Sequence, residues 1–275
     1  MPELAEVEYY RKQWEPGVGQ RVLRVALHGE KRIWRGSDVK AAAQVLTGAT
    51  VRDSTTRGKQ MLFRFTKGGW LGVHLGMTGS LRVEPPDFAP GKHDHLVLYQ
   101  KKQALVFSDA RMFGRLRFHE GKEAPAWWTE LPPEVASAEF TLARLNEIFR
   151  RRPRAPLKGV LLEQQFFPGV GNWMADEILW QTRTHPRCTA EQLDDTARRA
   201  LWRTARAVCR TAMKTIGVDW GDPPKGWLLH DRFNTTGRCP RHRTTLIRET
   251  IAGRTTAWCE KCQKLPKKGR AKKAT

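Results

Sequence analysis

The sequence lacks the features of a membrane or secreted protein. No stretch approaches the roughly 18 uninterrupted apolar residues that a membrane span needs, and the N-terminus starts acidic instead of with a basic segment and an apolar core. Cysteine is also scarce, with five in 275 residues, which excludes a disulfide framework. These absences predict a cytoplasmic protein that is not secreted.

Acidic residues are too few to balance the basic ones. The chain has 49 Lys+Arg against 28 Asp+Glu, a formal net charge of +21. Such an excess exceeds what solubility requires and favours a polyanionic partner, above all nucleic acid, although a ribosome-like or merely basic protein has the same composition. A length of 275 residues with 40% hydrophobic content favours two domains.

The first part of the chain has the pattern of a helix followed by a β-sandwich. Residues 2–15 read as a helix that ends at Pro16-Gly17. Short apolar alternations separated by Gly, Pro and Asp then predict strands. The clearest of them cover residues 60–65, 69–75, 96–99, 104–107 and 116–118.

The remainder of the chain has helical periodicity and then a short Cys/His module. The predicted class is therefore a multi-domain α+β protein, with a helical pattern over 140–150, 157–167, 172–182 and 190–215. The predicted boundaries are an N-terminal domain (1–119), a proline-containing linker (120–139), a helical domain (140–226), a metal-binding module (227–264) and a basic tail (265–275).

Two pairs of metal-binding residues lie near the C-terminus. Cys239 and His242 form the first pair, and Cys259 and Cys262 form the second. The two-residue gap in each pair lets both side chains reach one ion, and four Cys/His donors suit a closed, structural Zn²⁺ site. The alternatives are a coincidental pairing, or three cysteines with His230 in place of His242.

Basic residues lie between the two metal-binding pairs. Arg243, Arg248 and Arg254 fall in a predicted β-hairpin that turns near Ala252-Gly253. A basic hairpin of this kind is suited to contacting phosphates, although Arg254 could equally be a solvated charge.

The N-terminus could supply a nucleophile. Removal of Met1 would leave Pro2 with a free secondary amine, and an α-amino group titrates near pH 7.7–8.0, so part of it is neutral at cellular pH. Glu3 and Glu6 lie three residues apart and could assist proton transfer. Proline followed by glutamate is also an ordinary helix start, so this motif alone does not establish catalysis.

Six motifs in the same order resemble the formamidopyrimidine-DNA glycosylase and endonuclease VIII family, over nearly the whole chain. The motifs are Pro2–Glu8, Arg57–Lys59, His74–Leu81, Lys92–His95, Asp109–Gly114, and the segment from Leu157 through Gly169–Asn172 to His185, and the C-terminal zinc finger follows them. The third and fourth of these motifs favour the formamidopyrimidine branch over endonuclease VIII.

The resemblance implies a fold and a reaction. The fold is an N-terminal helix plus β-sandwich, then a helix-two-turn-helix domain with a β-hairpin zinc finger. Pro2 would attack C1′ of the damaged nucleotide and form a Schiff base, with Glu3 assisting and Glu6 supporting the site. Lys59 would hold a phosphate near the lesion. Base loss would be followed by β- and δ-elimination, with no cofactor other than one structural Zn²⁺.

Further positions would bind the DNA. His74, Lys158 and Asn172 would contact phosphates, with Asn172 opening a helix whose free N–H groups face the anion. Met77, Arg111 and Phe113 would fill the gap left by the extruded base, and Arg254 would contact DNA from the hairpin. The expected partner is double-stranded DNA with a damaged base or an abasic site, bound by a monomer associated with the nucleoid.

The sequence departs from the family pattern at several positions. Ala5 replaces a usual proline, Met112 a basic residue and His242 a cysteine, and the segment 217–238 is short where the branch has a longer loop over the lesion. The preferred lesion is therefore left open among formamidopyrimidines, oxidised pyrimidines and bulkier bases. A non-catalytic binder of damaged or bent DNA is the alternative function. A third hypothesis, that the protein binds RNA, is supported by the net charge alone.

Overall fold

The computed structural model describes residues 1–28 and 32–266, which form two compact units. The first unit consists of Met1–Pro132 together with Thr215–Gly221, and the second of Pro133–Lys214 with the chain from Asp222 onward. The mixed helix-and-sheet class predicted above is confirmed. No helix in the described residues is long and apolar enough to cross a membrane. The predicted tail, from residue 267 on, lies outside the described residues.

The first unit is a helix followed by eight strands in two sheets. Its helices are α1 (Leu4–Lys12), α2 (Val39–Leu46) and α3 (Ala126–Thr129). Its strands are β1 (Arg24–Leu27), β2 (Val51–Arg57), β3 (Gln60–Phe65), β4 (Gly69–His74), β5 (Ser80–Glu84), β6 (Asp94–Tyr99), β7 (Ala104–Ser108) and β8 (Arg115–Glu120).

The two sheets are antiparallel and enclose one core. Their strand orders are β1-β6-β7-β5 and β2-β3-β4-β8. Alternate residues of each strand point inward, so Val73 of β4 and Phe107 of β7 belong to one buried cluster, which also holds Trp14 beyond the end of α1. The predicted β-sandwich is therefore confirmed, with α1 packed against it.

The second unit is built around one buried helix. Its helices are α4 (Leu142–Arg151), α5 (Leu157–Leu162), α6 (Asn172–Gln181), α7 (Asp195–Lys214) and α9 (Leu229–Arg232), while α8 (Ile216–Asp219) belongs to the first unit. A hairpin of β9 (Ile247–Ile251) and β10 (Arg254–Trp258) completes it. Helix α6 is buried along most of its length and packs against α5, α7, α9 and β10.

Three segments differ from the sequence interpretation. The stretch 120–139, predicted as a linker, contains α3, whose Trp127 lies against Gly72 so closely that a Cβ there would come within 2.3 Å of the ring. Helix α8, assigned to the helical domain from sequence, packs on α1 instead. Helix α5 ends at Leu162 rather than at residue 167, since Gln164 hydrogen-bonds the turn that follows, donating to Leu162 O at 3.1 Å and Val170 O at 2.8 Å.

Glu177 connects α6 to α9 from a buried position. Its carboxylate accepts hydrogen bonds from the backbone N–H of Leu229 at 3.0 Å and from the Gln181 amide at 2.8 Å. Burial raises the pKa of the Glu177 carboxyl to about 7, and the hydrogen bonds and His230 limit the rise. The folded protein therefore favours the protonated carboxyl at pH values below about 7.

We predict that Glu177→Gln becomes more stabilising as pH rises. A folded-state pKa of about 7, above the ordinary 4.5, means that the wild type loses stability between these two pH values. The variant has no proton to release there. The difference in free energy of unfolding should grow from pH 4.5 to pH 8 by on the order of 3 kcal/mol at most, measured by urea titration. The exposed Glu139→Gln is the control, and a pH-independent difference for Glu177→Gln would contradict the prediction.

Candidate active site and metal centre

The N-terminus holds a carboxylate in a fixed position beside Pro2. Glu3 is the N-cap of α1, and its carboxylate accepts from the backbone N–H of Glu6 while Glu6 Oε2 accepts from Glu3 N–H at 3.1 Å. This reciprocal capping satisfies two donors that a helix start otherwise leaves without partners. Glu3 is only 2% exposed, Pro2 is half-buried, and Met1 is 54% exposed. A buried carboxylate therefore lies directly after the residue predicted to be the nucleophile.

Lys59 lies in a tight turn between β2 and β3. Arg57 pairs with Gln60, so Gly58 and Lys59 form a two-residue hairpin turn, and Gly58 has a φ of +57° that favours glycine. The guanidinium of Arg57 anchors the turn by donating to the carbonyls of Trp128 at 3.1 Å and Leu131 at 2.9 Å. Lys59 is buried. The turn thus fixes an ammonium where the sequence predicts a phosphate contact.

His74 lies at the end of β4 in a positive electrostatic environment. Burial lowers the pKa of its imidazole to about 4, helped by the charges of Lys59, Arg117, Arg35 and Arg115. The backbone N–H of Gly76 donates to Nδ1 at 3.1 Å, which places the ring proton of the neutral tautomer on Nε2. At neutral pH His74 is therefore an uncharged hydrogen-bond donor.

The three predicted wedge residues lie on two neighbouring loops. Met77 is 43% exposed and Phe113 is 49% exposed, which is unusual for such large apolar side chains. Arg111 is also exposed, and its guanidinium carbon lies 4.8 Å from the centre of the Phe113 ring. The loops touch at Gly76, where a Cβ would come within 2.4 Å of the Gly114 nitrogen. The structure brings the three residues together on one surface of the first unit.

A fully buried carboxylate connects these two loops. Asp109 Oδ1 accepts from Thr78 Oγ1 at 2.6 Å and from the Arg111 N–H at 3.2 Å, and Oδ2 accepts from the Gly114 N–H at 2.6 Å. His95 Nε2 lies 2.9 Å from the Asp109 carbonyl. Sequence reasoning placed Asp109 in a motif but gave it no role. It fixes the backbone on both sides of Phe113 and next to Met77.

Lys158 has an internal position in the second unit. Its side chain is fully buried on α5, and Nζ donates to Asp176 Oδ1 at 2.6 Å and to Asn172 O at 2.7 Å. Asp176 Oδ2 accepts from Arg232 Nε at 3.0 Å and from the Ala257 N–H at 3.1 Å. This corrects the predicted phosphate contact of Lys158, because an ammonium enclosed by protein acceptors is not available to a phosphate in this conformation.

Asn172 and Arg254 are positioned by the start of α6 and the hairpin. Asn172 is the first residue of α6, and its amide donates to the Thr255 carbonyl of β10 at 2.8 Å. Arg254, beside Thr255, is exposed. Sequence reasoning missed Asp176 and Arg232, which connect α5, α6 and the hairpin. The spacing of Asp176 four residues after Asn172, on one helix face, was the only signal.

The hairpin turns at the predicted position. Ile251 pairs with Arg254, and Ala252 and Gly253 both have positive φ, 50° and 72°, as a two-residue primed turn requires. Arg248 does not face outward as a free cation, since its guanidinium donates to the carbonyls of Asn234 and Asp231. Arg254 is thus better placed than Arg248 to contact a ligand.

The four predicted metal ligands lie in one cluster. The ligand atoms of Cys239, His242, Cys259 and Cys262 all lie within 4.8 Å of one another. The Cys239 and Cys262 sulfurs are 3.6 Å apart, and His242 Nδ1 is 3.0 Å from Cys262 Sγ. In a tetrahedral thiolate site with bonds of about 2.3 Å, sulfurs lie roughly 3.8 Å apart. The donor set and its spacing therefore fit a four-coordinate metal ion.

Surrounding residues support this cluster. Trp180 Nε1 donates to Cys239 Sγ at 3.4 Å, and the three cysteines are buried with Trp180, Leu228 and Leu246. His230, the alternative ligand, lies elsewhere, with Nε2 3.1 Å from the Pro223 carbonyl. His242 is therefore the histidine of the cluster.

Family models match most of the chain. Residues 1–116 match the formamidopyrimidine-DNA glycosylase N-terminal domain, and residues 131–220 match the H2TH domain of the same enzymes. Formamidopyrimidine-DNA glycosylases of Roseiflexus sp. (strain RS-1) and Thermus thermophilus are 36% and 33% identical to this chain. Each alignment covers 96% of this chain, with 100% and 98% of the relative.

Solved structures agree with these matches. The Lactococcus lactis glycosylase bound non-covalently to DNA containing an abasic site has a TM-score of 0.83 at 27% identity, covering 95% of this chain and 99% of that one. The wild-type form of the same enzyme, in complex with DNA containing an oxidised pyrimidine, has a TM-score of 0.84 at 27% identity with the same coverage. The chain therefore belongs to the formamidopyrimidine-DNA glycosylase family.

Proposed function

We propose that this chain is a bifunctional DNA glycosylase and abasic-site lyase of base-excision repair. Its substrate is double-stranded DNA with an oxidised or ring-opened base, or with an abasic site. The observation that carries the proposal is the carboxylate of Glu3, buried and held by reciprocal capping directly after Pro2. A fixed carboxylate beside a latent secondary amine is the arrangement that imine chemistry requires.

The reaction begins at the Pro2 nitrogen. Removal of the exposed Met1 frees the amine, which attacks C1′ while the C1′–base bond breaks, and the base leaves with a proton. The adduct loses the amine proton, and the nitrogen lone pair then forms the C1′=N⁺ bond of an iminium ion as the C1′–O4′ bond breaks, with Glu3 assisting proton transfer to O4′. Removal of a C2′ proton then expels the 3′ phosphate (β-elimination), and a second elimination expels the 5′ phosphate. Glu6 supports Glu3 through the capping hydrogen bond.

DNA contacts come from both units. Lys59 supplies a point charge, and His74 a neutral N–H donor, for phosphates near the lesion. Asn172 presents the N-terminus of α6, and Arg254 extends from the hairpin. Met77, Arg111 and Phe113 occupy the space left by the extruded base. Lys158 acts indirectly, because it fixes the start of α6.

The lesion range follows from the relatives and from one anchored segment. Related Lactococcus lactis structures contain abasic-site, Fapy-dG and oxidised-pyrimidine DNA. In this chain the short segment after α8 is anchored within the second unit, where Trp227 is buried beside Trp173 with ring centres 6.3 Å apart. A short segment with one end held in this way favours an open pocket that accepts several kinds of lesion.

The metal is Zn²⁺ with a structural role. Cys239, His242, Cys259 and Cys262 fill all four tetrahedral positions, which leaves none for substrate or water. The ion would supply folding free energy to the hairpin that carries Arg254. It takes no part in the chemical steps.

We predict that borohydride traps the protein on abasic-site DNA through Pro2. Mass spectrometry should locate the adduct on a peptide that begins at Pro2, with Met1 absent. In Pro2→Leu, Met1 is not removed, so the free amine is that of Met1, one residue before the position of the proposed nucleophile. This variant should not be trapped. Glu3→Gln should slow base release by about 100-fold or more while DNA binding persists. Adduct on another residue would refute the proposal, and binding without any trapping would favour a non-catalytic binder.

We predict that the Thr78–Asp109 hydrogen bond controls base extrusion. Thr78→Val removes one donor to a buried carboxylate, which costs about 1.5–3 kcal/mol and loosens the Met77 loop. Single-turnover excision of a damaged base should slow by about tenfold or more. Cleavage of abasic DNA, which needs no base extruded, should slow much less. Thr78→Ser keeps the donor and is the control, and equal slowing on both substrates would contradict the role.

We predict one Zn²⁺ per chain, measured by elemental analysis. Cys262→Ser should lose the ion and weaken DNA binding, because the hairpin loses its support. Cys188→Ala, which alters a buried cysteine outside the cluster, should keep the ion. The first unit should remain folded in Cys262→Ser, as monitored by protection of β3 and β4 amides from hydrogen exchange. Full zinc content in Cys262→Ser would overturn the ligand assignment.

A further inference from the structure

An arginine-rich pocket lies on the outer face of the second sheet of the first unit. It is a cavity of about 220 Å³ lined by Arg35, Arg115, Arg117, His74 and Phe113, among others. It lies where β4 ends and β8 begins, because Arg115 pairs with His74 in the sheet. The pocket is therefore next to two residues with a proposed role in DNA binding, and none of its arginines has an assigned role.

The strand pattern places two arginines on one face. Arg115 and Arg117 alternate with Leu116, which is fully buried in the core, so both guanidiniums project from the opposite face. Arg117 pairs with Gly72, and the Trp127 ring that covers Gly72 has its centre 5.2 Å from the guanidinium carbon of Arg117. The sequence shows this alternation of arginine and leucine, but the sequence analysis assigned no function to the two arginines.

The third arginine is held there by backbone contacts. Arg115 donates to the carbonyl of Arg35 at 3.3 Å, and the Phe118 N–H donates to Ser37 Oγ at 3.2 Å. These hydrogen bonds attach the loop that carries Arg35 to the edge strand β8. The three cations are thus held together by the fold.

The charge of the pocket is not neutralised within the described part of the chain. Among residues 1–28 and 32–266, no carboxylate lies within ion-pair distance of Arg35, Arg115 or Arg117. Arg115 Nε is also buried without a hydrogen-bond partner there. Burial lowers the pKa of Arg117, and the charges of Arg115 and Arg35 lower it further.

Two arginines of the same unit show the contrast, because each forms an ion pair. Arg64, on the same sheet, forms an ion pair with Asp53, and Arg82 pairs with Glu84 and, at 2.9 Å, with Asp94. Three adjacent like charges without such partners repel one another, and an anion in the pocket would relieve the repulsion. The pocket therefore has the charge and the donors of an anion site.

We infer that Arg35, Arg115 and Arg117 bind a phosphate group of the DNA strand, next to the phosphate held by Lys59 and His74. Guanidinium groups match phosphate oxygens in pairs, and a cavity of 220 Å³ accommodates one phosphate group. The phosphate is either an internal phosphodiester or the terminal phosphate that strand cleavage leaves. The inference rests on the proposed function only in taking DNA as the ligand.

The test is equilibrium DNA binding by full-length Arg35→Gln, Arg117→Gln and the double variant. The probe is a duplex with a tetrahydrofuran abasic analogue, measured by fluorescence anisotropy over a salt series. Each single variant should weaken binding about tenfold, and the slope of log K against log salt should fall by about one in total, because one phosphate contact is lost. Arg64→Gln is the matched control with the same charge change on the same sheet, and should change affinity less than about twofold.

A second pair of probes identifies the source of the phosphate. Gapped duplexes that end in a 3′-phosphate or in a 3′-hydroxyl are bound by the same variants. If the variants lose affinity for the continuous duplex, the pocket binds a phosphodiester. If they lose affinity only for the 3′-phosphate probe, the pocket binds a terminal phosphate. Losses no larger than those of Arg64→Gln on every probe would overturn the inference.

Folding and chemistry are checked separately. Thermal unfolding establishes that each variant is folded, and Arg35→Gln, which alters only a loop, remains informative if Arg117→Gln is not. Borohydride trapping of the wild type reports on the proposed function. Binding losses without any wild-type trapping would refute the catalytic proposal and leave the phosphate pocket supported.

Discussion

Each compact unit depends on one buried aspartate. Asp109 in the first unit and Asp176 in the second are at most 1% exposed, and burying a carboxylate costs several kcal/mol unless hydrogen bonds and cations replace its water. Asp109 is satisfied by Thr78 and two backbone N–H groups. Asp176 is satisfied by Lys158, Arg232 and a backbone N–H group. Both carboxylates therefore require particular loops to converge, and those loops carry the proposed DNA contacts.

The same requirement explains how a chain of +21 arranges its cations. Lys158 and Arg232 form buried ion pairs with Asp176, and removing one partner would leave a buried charge unpaired. Arg111 and Arg254 stay exposed beside the loops that the two aspartates fix. Internal cations thus set positions, while external cations supply the charge for a polyanion. Composition shows the excess of charge but not this division.

The sheets show where sequence patterns lose information. All five strands predicted from alternation exist, and four of them, β3, β4, β6 and β7, are central. The three that were not predicted, β1, β2 and β5, are edge strands. An edge strand such as β2, with the sequence VRDSTTR, buries little of either face, so its alternation is weak. Its pairing is set by β3, through contacts that no local window contains.

The residues of the proposed site also differ in whether their positions are set by neighbours in sequence or by distant residues. The capping of Glu3 by Glu6, the Gly58-Lys59 turn and the metal-ligand spacing are encoded within a few residues. Sequence reasoning singled out Glu3, Glu6, Lys59 and the four metal ligands, although it did not predict the capping. The position of Lys158 depends on Asp176, eighteen residues away, and was misassigned. The arginine pocket depends on the pairing of β4 with β8 and on a loop from residue 35. Residues whose role is set by a partner distant in sequence can be assigned only after the fold is known.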